Sequence, residues 1–115
     1  MEIVERRRKQ REEVIKDASE FATSLPIKCT VLLIGSYARG DFNLWSDVDL
    51  LIIGHFVGNP LERLKAIDLP AGYEAILLTP DEFTARSKKN DRLIRESLLN
   101  GVVLRDDFSL MNKDS

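Results

Sequence analysis

Apolar positions recur at helical spacing over the first part of the chain. Val14, Ile15, Ala18, Phe21, Ala22 and Leu25 fall on one helix face, and Pro26 ends the pattern. The spacing predicts a helix over 2–24. Extended toward the N-terminus, the stripe meets Arg11 and Arg7 before it reaches Ile3 and Val4. The apolar face is therefore complete only in the second half, and the first half is expected to project beyond the core.

After Pro26 the pattern shortens. Lys28 to Ile34 is a brief run rich in β-branched and aliphatic residues, closed by Gly35, and Val48 to Ile53 is a second, bounded by Ser46-Asp47 and Gly54. Both read as buried strands. Between them, residues 36–46 begin as a helical turn and continue as a polar loop. Asn59 to Lys65 reads as a short helix with Asn59 as N-cap and Pro60 in its first turn. Tyr73 to Leu78 reads as a third strand. Thr79-Pro80-Asp81-Glu82 has the form of a capping box opening a helix that runs to Lys88. A further helix is expected over Arg92 to Asn100, with Gly101 as a left-handed C-cap. Val102 to Leu104 suits a final edge strand, and residues 107–115 are expected to be loose. Helices and strands alternate, so the class is α/β (α+β): a small mixed sheet with helices on at least one face.

Composition narrows the setting. The 115 residues are 43% hydrophobic and 31% charged, which suits one soluble domain with one core. A net charge of -2 argues against binding nucleic acid through bulk electrostatics, leaving only a local basic patch. The lone Cys29 lies in an apolar run and reads as a buried thiol. No secretory signal or membrane-length stretch is present in the sequence, so a cytoplasmic location is expected.

The chemistry gathers around the second strand. Asp47 and Asp49 are two apart, so they point to one side while Val48 and Leu50 point to the other. Paired carboxylates repel unless a cation neutralises them, and hard oxygen ligands favour Mg²⁺ or Mn²⁺. A bare Asp-x-Asp, a common tripeptide, is better explained by a turn at Ser46-Asp47 with Asp49 at the solvent edge. Upstream, however, Gly35 permits close backbone approach, Ser36 offers a hydroxyl, and Arg39 carries a fork suited to phosphate. Together these are parts of a phosphate cradle beside a metal pair. No P-loop motif occurs.

The run Gly35-Ser36-Tyr37-Ala38-Arg39-Gly40, followed by Ser46-Asp47-Val48-Asp49-Leu50, resembles the signature of the DNA polymerase β-like nucleotidyltransferase superfamily. It is most similar to the minimal nucleotidyltransferases that accompany HEPN-domain proteins. The resemblance spans about 28–104 and implies a mixed sheet flanked by helices. It implies that Gly35 and Ser36 hold the β- and γ-phosphates and that Asp47 and Asp49 ligate two Mg²⁺ ions. It also implies a third carboxylate on a later strand that shares a metal and helps deprotonate the attacking hydroxyl. Glu74 is the candidate for this catalytic and metal-binding role, although an Asp is common there and Glu reaches one methylene further. The expected activity is transfer of a nucleoside monophosphate, AMP, from ATP to an acceptor hydroxyl on a HEPN-type partner. Larger members carry an added acceptor-binding helical domain. Without one, the acceptor must come from a partner, a second subunit in a homo-oligomer, or a shallow surface. Two rival readings are an antitoxin that occludes its partner through a vestigial nucleotide site, and a nucleotide-binding regulatory subunit.

Other residues fit blander roles. His55 at a strand end reads as a surface residue, and Phe42 and Trp45 either stack on a base, meet a partner or plug the loop. Arg6, Arg7, Arg8, Lys9 and Arg11 read as a solvated face, with an acidic partner or RNA as the minority reading. Lys88, Lys89, Arg92 and Arg95 are further candidates for phosphate contacts.

Overall fold

The computed structural model describes residues 2–111. Its elements, in chain order, are α1 (Glu2–Ser24), β1 (Cys29–Ile34), α2 (Gly35–Arg39), β2 (Val48–Gly54), α3 (Pro60–Leu64), β3 (Tyr73–Leu78), α4 (Pro80–Lys88), α5 (Arg92–Asn100) and β4 (Val102–Asp106). The strands form one mixed sheet in the order β3-β2-β1-β4. β1 runs antiparallel to both β2 and β4, while β2 and β3 are parallel.

Every residue of β1 is buried, because the sheet is covered on both faces. Val31 and Leu33 point to one face, where they meet Leu50, Ile52, Ala18 and Ala22. Leu32 and Ile34 point to the other, where they meet Leu51, Ile53, Phe83 and Ile94. The near-continuous apolar runs of the central strands, with side chains alternating between faces, therefore feed two cores, one under α1 and one under α4 and α5. No helix among the described residues is long and apolar enough to cross a membrane.

Two expectations are corrected and a third is extended. Gly101 is not left-handed: its φ is -65° and its ψ 148°. It is glycine because a Cβ there would run into the Ser97 carbonyl and come within 3.1 Å of the Leu32 side chain. The segment after β4 is not loose as far as it is described. Asp106 accepts from the amides of Leu110 and Met111, both at 2.9 Å, and those two side chains pack on the second core. Residues 112–115 lie outside the described part. Finally, the first half of α1 lacks buried apolar residues, as expected, yet it does not stand free. Arg7 and Arg11 bond to the backbone of residues 37–42.

Candidate active site

The site forms where β1 ends and β2 begins. Antiparallel pairing places Ile34 opposite Asp49, so the chain leaving β1 at Gly35 passes directly over that carboxylate. Gly35 has φ +76°, and a Cβ on it would collide with Asp49 Oδ2. Both the backbone conformation and the close approach demand glycine. α2 then makes a single short turn that buries Tyr37 and Ala38. Gly40, at φ +94°, closes it with its amide on the Ser36 carbonyl at 2.8 Å.

The loop back to β2 is ordered by its own polar groups. The Trp45 amide donates to Asn43 Oδ1 at 2.8 Å, and the Asn43 amide donates to Ser46 Oγ at 2.9 Å. Val48 is tied to the start of β3 through the Gly72 carbonyl at 2.9 Å. Parallel register then sets Asp49 beside Glu74, with both side chains on the α4–α5 face.

The electrostatics reflect this crowding. Burial, and then the charge of Asp47, push the Asp49 carboxyl above its ordinary range, against the pull of Arg39. Glu74 is raised first by the charge of Asp47, then by a hydrogen bond with Asp47 and by the charge of Asp49. Asp49 and Glu74 are thus both raised beside the charge of Asp47.

A cleft of about 400 Å³ opens over the pair. Gly35, Arg39, Asp49 and Glu74 line it, together with Glu96 and Asn100 of α5. Ser36 adjoins Gly35 half-buried, and Asp47 stands exposed beside Asp49. Arg39 is mostly free to reorient, because its contact with Asp41 at 3.1 Å is solvent-exposed on both sides. The six residues singled out in the sequence thus gather at one end of the sheet.

Others do not. His55 sits at the far end of β2 with its ring against Phe108, 5.2 Å between centroids. Lys88, Lys89, Arg92 and Arg95 do not line the cleft, and Arg92 bonds Glu96 on its own helix at 3.2 Å. Phe42 is the loop plug, buried and stacked on Tyr37, whereas Trp45 is 85% exposed. Two contributions escaped the sequence reading. The α5 wall of the cleft has no motif to mark it. Arg11 turns inward to the α2 backbone and Arg7 to the carbonyls of Gly40 and Phe42 just beyond it, and their intrusion into an apolar stripe was the signal.

The profile of the nucleotidyltransferase domain family matches residues 7–105. A protein of Methanocaldococcus jannaschii, named as a candidate protein adenylyltransferase, is 38% identical over 73 residues, which is 59% of this chain and 74% of that one. The fold is similar to the crystal structure of a candidate nucleotidyltransferase from Sulfolobus solfataricus. The TM-score is 0.58 over 84% of each chain, at 24% identity.

Proposed function

The chain belongs to the nucleotidyltransferase domain family, and on that premise we propose that it transfers AMP from ATP to a protein hydroxyl, releasing pyrophosphate. One observation carries this reading: Gly35, Asp49 and Glu74, from three separate elements, line a single cleft. The M. jannaschii relative's name supports a protein as acceptor.

The donor set fits magnesium. It consists of hard carboxylate oxygens, and two of the three carboxyls are held above their ordinary range by mutual repulsion or burial, a condition that a divalent cation relieves. Among the described residues no three potential ligands close into a metal cage. Magnesium in phosphoryl-transfer sites takes one or two carboxylates and completes its shell from phosphate and water. In this reading Asp47 and Asp49 are the ligands, with Glu74 beside them. Bound there, the metal supplies charge neutralisation at the reacting phosphate.

The chain's own residues do the rest. Gly35 lets the triphosphate approach the backbone, Ser36 offers a hydroxyl to it, and Arg39 swings its fork onto an outer phosphate. The acceptor oxygen bonds to the α-phosphorus as the bond to the pyrophosphate oxygen breaks, and Glu74 takes the acceptor proton. An ATP-consuming transferase with a buried free thiol, Cys29, suits the cytoplasm.

Intact-mass spectrometry of a HEPN-type partner after incubation with this protein and Mg-ATP tests the proposal. The expected result is a partner heavier by one AMP group, and loss of that product in an Asp47→Asn/Asp49→Asn variant. A wild-type protein that binds no Mg-ATP overturns it. So does an unmodified partner that the double variant still neutralises.

A further inference from the structure

We infer that Arg7 and Arg11 are positioning residues for the nucleotide turn: through the backbone of residues 37–42 they fix where Gly35 and Ser36 stand relative to Asp49. This rests on the phosphate-binding role proposed for that turn.

α2 has only five residues, too few to hold a helical turn unaided. The carbonyls at its end lack partners within the helix. Arg11 supplies them, donating from Nε to the Tyr37 carbonyl at 2.6 Å and from Nη2 to the Ala38 carbonyl at 2.9 Å. Arg7 Nη2 donates to the carbonyls of Gly40 at 3.0 Å and Phe42 at 2.9 Å. Its guanidinium also lies 4.4 Å above the Phe42 ring. Between the two arginines, Gln10 Nε2 donates to the Tyr37 hydroxyl at 3.3 Å. Positions 7, 10 and 11 share one face of α1, and that face is given to α2 and its exit.

Anchoring α1 to the sheet does not require these contacts. Its buried residues are Ala18 and Ala22, in the second half of the helix. The arginines instead grip the stretch that joins Gly35 and Ser36 to Asp47. The Asp49 carboxylate occupies the space where a Cβ on Gly35 would stand, so a small shift of α2 alters the distance between the phosphate turn and the acids. The two-pronged grip of Arg11 needs a planar fork, which lysine cannot reproduce.

Arg7→Ala, Arg11→Ala and Arg11→Lys are the informative variants. Arg8→Ala is the control, since Arg8 pairs with Glu5 on the same helix at 2.8 Å. Two readouts are needed: amide hydrogen exchange, and KM for ATP against kcat. Exchange across 36–46 is expected to quicken by about tenfold in the alanine variants while the β1 and β2 amides keep their protection. KM for ATP is expected to rise about tenfold with a smaller change in kcat, and Arg11→Lys to recover part of the loss. The control changes neither. Unchanged exchange across 36–46 overturns the inference, as does a uniform rise across the sheet, which marks a purely structural role. Local loosening with an unchanged KM overturns the positioning role. A wild-type protein that binds no Mg-ATP defeats the functional reading instead, and the exchange result still decides whether the grip exists. If an alanine variant does not fold, Arg11→Lys decides by the same two readouts.

Discussion

Gly35 is held to glycine by two separate constraints, and they can be taken apart. Its φ of +76° penalises any side chain, and the Asp49 carboxylate occupies the space where a Cβ would go. Gly72 has a similar φ of +81° but nothing within 4 Å of its Cβ position. Gly72→Ala therefore measures backbone strain alone, about 1 kcal/mol by urea denaturation, with transfer activity kept. Gly35→Ala adds a clash with a proposed metal ligand. It is expected to cost about 2–3 kcal/mol and to lower activity by at least about a hundredfold. Equal stability losses in the two variants would show that the contact with Asp49 yields freely. Glu74 illustrates the same scale from the sequence side. As a carboxylate in an apolar strand it stood out, and the register that sets it beside Asp49 supplies the neighbour that no spacing rule contains.

The helices that flank β3 are built from signals adjacent in sequence: the Thr79 box was legible as such, and at Asn59 the N-cap and Pro60 were legible without the box. Asn59 and Thr79 both form reciprocal capping boxes, with Glu62 and Glu82 respectively. Such boxes depend on residues three apart, so a sequence pattern can reveal them. What the pattern does not reveal is that Glu82 has a second duty. Its carboxylate also binds Arg63 of α3 at 2.6 Å, and Arg63 in turn donates to the Gly58 carbonyl at 2.9 Å. The hydrogen bond from Arg63, followed by that from the Thr79 amide, lowers the Glu82 pKa to about 2. A carboxyl depressed in the folded state contributes stability above its unfolded pKa and loses it as pH falls toward the folded value. The Glu82 side chain is 43% exposed, so solvent screens the pair to about 1 kcal/mol. The stability difference between wild type and Glu82→Gln should therefore be full near neutral pH. More than half of it should be gone by about pH 3, as measured by denaturant titration across that range. A difference that grows on acidification would contradict this assignment.

Across the whole molecule, legibility tracked sequence distance. Apolar runs, caps and the Gly-Ser to Asp-x-Asp spacing report near neighbours, and they placed the strands, the helices and the end of the sheet that holds the site. The bonds that join distant segments were opaque. The Arg11 contacts span 26 and 27 residues, and those of Arg105 span up to 83. Gly101 was misread because close approach and positive φ select the same residue, and only three-dimensional neighbours tell them apart. Arg105 is the long-range tie with the clearest consequence. α1 has no basic residue in its last turn. Arg105 on the edge strand β4 supplies one, donating to the carbonyls of Ala22 at 2.7 Å, Leu25 at 2.9 Å and Ile27 at 2.8 Å. Its Nε is held by Asp107 at 2.9 Å. One guanidinium thus caps the helix, closes the turn into β1 and fastens the edge strand to both. Arg105→Ala removes this donor from the Leu25 and Ile27 carbonyls and leaves the Ala22 carbonyl only the Leu25 amide, and should cost about 1–3 kcal/mol in global unfolding. Arg105→Lys keeps the charge but not the fork, so it should recover less than half of that. Because the proposed nucleotide site lies at the opposite end of β1, folded Arg105→Ala protein should keep its KM for ATP, whereas Arg11→Ala should not. If Arg105→Ala raised KM as much as Arg11→Ala does, the two arginines would be supporting the fold alike, and no special role would remain for the grip on α2.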